Sequence, residues 1–249
     1  MDNPAPEQLN PPQTVPAATF REPITRIAAW WHTVLVLLLL AAWAIIGALR
    51  VEKLRTLAIT HRRWFYARSM LTEWAVLAIV LFGVWLHKSP FAAVLGERWK
   101  SAAQIWRDFK VSVAFWFAAV AILIFLGLQL RAVPNGPGIK FLLPHGGIEK
   151  LLWLGVSVSA GICEEAIFRG YLQRQFLAMT HSAPVSIVLT GILFGGMHAY
   201  QGLRGVITIG ALGLMLGILA HWRGTVRPGM FAHAWQDALP GLLSHLFRG

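Results

Sequence analysis

Apolar residues in this chain come in blocks too long and too unbroken for the core of a soluble domain. A bilayer core of roughly 30 Å takes about 20 apolar residues as a helix. The run from Ile27 to Leu49 meets that length with no acidic residue inside it and predicts a first span. Met70 to His87, with Glu73 near its start, and Val111 to Leu130 predict a second and a third. Between these, Phe91 to Lys110 interleaves Trp99, Ile105, Trp106 and Phe109 with Glu97, Arg98, Lys100, Arg107 and Asp108. That is the composition of a helix lying in the membrane interface, or of a solvated connector. The stretch 134–147, rich in proline and glycine, breaks any helix. Beyond it lie four more apolar runs, Leu151–Phe168, Ala183–Tyr200, Gly205–Trp222 and Pro228–Phe247. The pattern predicts an all-α fold, a polytopic transmembrane bundle of about seven to eight spans with a polar cavity inside the membrane.

Composition agrees, since 56% of the 249 residues are hydrophobic and only 13% are charged. The net charge of +11 does not point to nucleic acid. Lys and Arg flank the apolar runs, as in the basic loop Arg50–Arg68, and read as headgroup charges against a lipid bilayer. Trp30, Trp31, Trp85, Trp153 and Trp222 stand near the ends of runs, where aromatic belts form. Residues 1–26 carry Pro4, Pro6, Pro11, Pro12, Pro16 and Pro23 without periodic apolar residues and are expected to be a disordered tail. Residues 27–133 then read as scaffold helices and 148–247 as the working domain. The expected location is an integral, multi-pass membrane protein, in the plasma (inner) membrane if bacterial.

The two halves differ in what their spans bury. An ionised side chain within hydrocarbon is costly, so Glu164, Glu165 and Asp237 inside apolar runs must face a cavity or a partner. Glu165 and Arg169, at i and i+4, share a helical face and can pair. Glu164 is turned away from Glu165 by about 100° and is free to meet water or a histidine such as His198. His233 and Asp237 are again an i and i+4 pair on one face. Glu164, His198, His233 and Asp237 can hold and deprotonate a water and stabilise an oxyanion, or they can ligate a divalent metal. Phe194 shares a face with His198 and reads as cavity wall. Cys163 lies in an apolar helix without its own base and reads as structural. His32, His61, His87, His145, His181, His221 and His245 lie at span ends or in loops and are assigned no chemistry. The pairs Gly191/Gly195 and Gly213/Gly217 have the spacing that lets membrane helices approach closely.

The segments EEAIFR at 164–169, FGGMH at 194–198 and HAWQD at 233–237 resemble, in order, the three motifs EExxxR, FxxxH and Hxxx(N or D) of the CAAX prenyl protease and bacteriocin-processing family. These are intramembrane glutamic endopeptidases related to the eukaryotic Ras-converting enzyme. The resemblance covers 148–247. It implies a water activated by Glu164 with His198, an oxyanion site at His233 and residue 237, and support of the catalytic helix by Glu165 and Arg169. It implies no cofactor, and a membrane-associated protein or peptide as substrate: a prenylated C-terminus, a leader peptide or a sorting signal. One position departs, because prenyl proteases usually have Asn where this chain has Asp237, although Asp occurs among bacterial members. An ionised Asp cannot donate a hydrogen bond to an oxyanion. It must be protonated, orient His233 instead, or mark another substrate class. Two alternatives use the same residues. One is a zinc-dependent membrane protease with Glu164, His198, His233 and Asp237 as ligands; the other is a non-catalytic immunity or peptide-binding protein.

Overall fold

The computed structural model describes residues 25–134 and 140–244. Among these there is no β-strand. The helices run α1 Trp30–Leu49, α2 Val51–Thr60, α3 Arg62–Leu86, α4 Ala92–Leu95, α5 Ala102–Gln129, α6 Gly147–Glu165, α7 Gln173–Thr180, α8 Ala183–Met197, α9 Leu203–Arg223 and α10 Arg227–Leu242. A π-helical segment, Ala166–Leu172, joins α6 to α7 in one continuous rod. Five helical stretches among the described residues are long and apolar enough to cross a membrane: α1, α3, α5 with its extension to Ala132, the α6–α7 rod, and α9. With α8 at 15 residues and α10 at 16, these correspond to the seven apolar runs of the sequence. The chain is therefore an integral membrane helical bundle. Its outward faces carry exposed Leu38, Leu49, Phe117, Ile124, Phe125 and Ile192, an apolar exterior that lipid, and not water, accommodates.

Several expectations are corrected. The basic stretch Arg50–Arg68 is no loop but α2 and the first turns of α3. Hydropathy registers transfer into lipid, whereas a helix outside the hydrocarbon needs only its backbone bonds and a docking face. That face closes on the later part of the 134–147 stretch and the start of α6. Arg62 reaches Glu149 at 3.5 Å and the carbonyl of Phe141 at 3.3 Å, and the Tyr66 hydroxyl donates to the carbonyl of Leu142. The region 91–110 is not one helix; it comprises the four-residue α4, an extended stretch, and the opening turns of α5, capped by Ser101. Trp99 there donates to Asp108 at 2.9 Å and lies under the Arg227 guanidinium at 4.1 Å. Trp153, expected in an aromatic belt, is only 8% exposed and packs edge-on against Tyr66, whereas Trp30, Trp31, Trp85 and Trp222 are exposed. His32 is buried as well; its Nε2–H donates to the carbonyl of Ile79 at 3.0 Å, so Nδ1 accepts from the Tyr171 hydroxyl at 2.7 Å. The tail expected over 1–26 falls outside the described residues up to position 24, as do 135–139 of the 134–147 stretch and positions 245–247, with His245, at the end of the last run.

Two glycines set the spacing of the working half. Helix α6 packs mainly against α10 and α3, and α8 against α9. A Cβ at Gly161 would sit 2.7 Å from the carbonyl oxygen of Met230 and 2.8 Å from Cβ of Ala234. Only a bare backbone lets α10 seat against α6 one turn before Glu165. A Cβ at Gly195 would lie 2.5 Å from the carbonyl oxygen of Val206, so α8 and α9 meet backbone to backbone, as the glycine spacing predicts.

Candidate active site

The π-helical segment is buried along its whole length and follows directly on Glu164 and Glu165. Such wide turns occur frequently at functional sites. Within it Arg169 donates to Glu165 Oε1 at 2.6 Å and to the carbonyl of Gly213 at 2.8 Å, and its guanidinium lies 4.4 Å from the centre of the Phe194 ring. Both partners of the ion pair are fully buried. The i and i+4 pairing read from the sequence is therefore present, and it ties the α6–α7 rod to α9 and α8 together.

His233 of α10 is the hub. Its Nδ1 lies 3.1 Å from Glu165 Oε1, and because a carboxylate oxygen accepts, Nδ1 carries the hydrogen. That bond turns Nε2 toward Asp237 Oδ2 at 3.5 Å and Glu164 Oε2 at 3.7 Å. Both separations exceed a direct hydrogen bond and suit an ion pair or an intervening water. Phe194 packs edge-on to the imidazole, ring centres 5.6 Å apart, and to Phe168 at 5.0 Å. Trp153 donates to the backbone carbonyl of Asp237 at 2.8 Å, and Trp116 of α5 donates to Gln236 at 2.8 Å. These two bonds fix the turn of α10 that carries the carboxylate.

His198 ends α8. Its Nδ1–H donates to the carbonyl of Phe194 at 2.9 Å, which in the neutral imidazole leaves Nε2 with a lone pair able to accept a proton. His198, Glu164, His233 and Asp237 all line one cavity of about 460 Å³. Among the described contacts the neighbour of Glu164 is His233, and His198 joins the site through the shared cavity. Cys163 is buried in packing. No three of His, Cys, Asp and Glu among the described residues are arranged to hold a metal ion.

Sequence reasoning missed part of the lining. Glu73 of α3 and Tyr200, just after α8, both face the cavity. Glu73 carried a signal, a lone carboxylate near the start of an apolar run, but nothing in one dimension tied it to 164–237. Leu40 and Trp43 of α1 and Leu54 of α2 extend the lining as an apolar wall.

Carboxylates and imidazoles are thus gathered around one cavity inside a bundle of apolar helices. Residues 147–239 match the family described as type II CAAX prenyl endopeptidase, Rce1-like. No curated protein and no solved structure matches the chain.

Proposed function

We propose that the protein is an intramembrane endopeptidase in which a water activated at Glu164 hydrolyses a peptide bond of a membrane-associated substrate. The observation that carries this reading is the convergence of Glu164, Glu165 and Asp237 on His233, beside His198, across a cavity enclosed by apolar helices. Glu164 Oε2 is buried without a hydrogen-bond partner, which leaves it free for a water. In the reaction Glu164 removes a proton from that water, and the lone pair of His198 Nε2 orients it. His233, anchored through Nδ1 on Glu165, offers a protonated Nε2 to the oxyanion of the tetrahedral intermediate. Asp237, 3.5 Å from Nε2, orients His233 and keeps it charged; an ionised Asp in that role donates nothing itself, and His233 is the donor to the oxyanion. Arg169 neutralises Glu165 and holds the helix.

The matching family is described as a CAAX prenyl endopeptidase, and the wall formed by Leu40, Trp43 and Leu54 suits an apolar chain attached to the peptide. The substrate is accordingly a prenylated C-terminal peptide, cleaved close to the lipidated cysteine. To test this, the purified protein in liposomes is incubated with a farnesylated peptide and its unmodified twin, and the products are read by mass spectrometry. Cleavage of the farnesylated peptide alone is expected, unchanged by a chelator. Equal cleavage of both overturns the prenyl assignment, and loss of activity restored by zinc overturns the metal-free mechanism.

A further inference from the structure

Glu73 is the one acidic residue of α3, a span whose hydropathy places it in the membrane. Its Oε2 is buried and without a hydrogen-bond partner, and no ion pair among the described residues involves it. It lines the same cavity as Glu164, His198, His233 and Asp237. The charged and titratable groups that face it come from each surrounding element: Cys163 and Glu164 on α6, His233 and Asp237 on α10, Tyr200 after α8. Arg68, on its own helix, lines the cavity from an exposed position.

Counting charge gives Glu73 a role. Glu165 is matched by Arg169. Three further carboxyl groups, Glu73, Glu164 and Asp237, remain around one imidazole, His233, that has carboxylates beside it. His198 spends its one hydrogen on a carbonyl. Unmatched carboxylates in a low-dielectric interior cost far more than a neutral carboxylic acid. The site therefore holds a carboxylic acid proton, and Glu73, the carboxyl group with no cation in contact, is the one best placed to keep it.

We propose that Glu73 is a catalytic residue of this site, the acid that protonates the departing amine. The proposal rests on the hydrolytic reading above. Glu164 takes a proton from water as the water oxygen bonds to the scissile carbon and the carbonyl π pair moves to oxygen. As the C–N bond breaks, its electron pair stays on nitrogen, which takes the proton of Glu73. A carboxylic acid and an amine leave, and transfer of the proton now on Glu164 to Glu73 restores the starting state, so nothing is consumed but water.

The test compares a farnesylated peptide with its depsipeptide, identical except for an ester of an acidic alcohol at the scissile bond, whose leaving group needs no proton. With Glu73→Gln, kcat on the amide falls by about a hundredfold or more with KM nearly unchanged, while kcat on the ester stays within about threefold of wild type. The part of the alkaline limb of the amide pH profile set by Glu73 disappears, leaving that set by His233, and Glu73→Asp restores part of the rate. Equal losses on amide and ester, or an unaltered pH profile, overturn the assignment. Intact ester hydrolysis shows that the variant is folded. Glu164→Gln on the same two substrates reports separately on the hydrolytic reading: loss of both upholds it, and retention of both overturns it together with the role of Glu73.

Discussion

Arg169→Met removes a fully buried guanidinium that meets Glu165 at 2.6 Å, the carbonyl of Gly213 at 2.8 Å and the face of Phe194 at 4.4 Å. Its partner carboxylate would be stranded, 0% exposed, with Glu164 adjacent in sequence and one remaining contact, to His233 Nδ1. Breaking a buried pair by deleting one partner costs about 3–5 kcal/mol, against a total stability of about 5–15 kcal/mol. For a chain of this size each kcal/mol corresponds to roughly 2–4 °C. The apparent melting temperature in detergent should thus fall by about 6–20 °C, and activity with it. Arg169→Lys keeps the charge but cannot reach Glu165 and Gly213 with one fork, so its loss is smaller, about 1.5–3 kcal/mol. The double variant Glu165→Leu/Arg169→Met removes both charges and should recover much of the stability while remaining inactive, since His233 then lacks the acceptor on Nδ1. Melting of Arg169→Met within about 2 °C of wild type, less than about 1 kcal/mol, would refute the claim that this pair holds the α6–α7 rod.

Other consequences are simpler to measure. Gly195→Ala places a Cβ 2.5 Å from the Val206 carbonyl oxygen and 2.9 Å from Gly210 Cα; prying α8 from α9 should cost about 1–3 kcal/mol, read as lowered thermal stability, and Gly196→Ala, with open space at its Cβ, serves as the neutral control. Trp153→Phe loses the bond to the Asp237 carbonyl; a stability loss near 1 kcal/mol together with reduced kcat would show that the bond positions α10, whereas unchanged kinetics would confine it to packing.

What could be read from the chain follows from which forces act along one dimension. Span positions were legible because transfer into lipid depends on local composition. The candidate site groups stood out because Glu164, Glu165 and Asp237 would be too costly in an apolar run without a purpose, and the Glu165–Arg169 contact because i and i+4 share a face. The docking of α2, the burial of Trp153 and the network of His32 with Tyr171 depend on partners more than 75 residues away, which periodicity does not encode. Glu73 shows the same limit, for its meaning comes from the helices across the cavity. The expected Glu164–His198 partnership resolves into a shared cavity, with His233 as the nearer imidazole.

The most direct test of the central claim is the initial rate of cleavage of a farnesylated peptide by Glu164→Gln beside wild type, both reconstituted in liposomes and matched for melting temperature. Glutamine keeps the shape of the side chain but cannot take a proton from water. A fall on the order of 10²–10⁴-fold with unchanged peptide binding is the predicted result. A Glu164→Gln protein that cleaves at the wild-type rate would contradict the account.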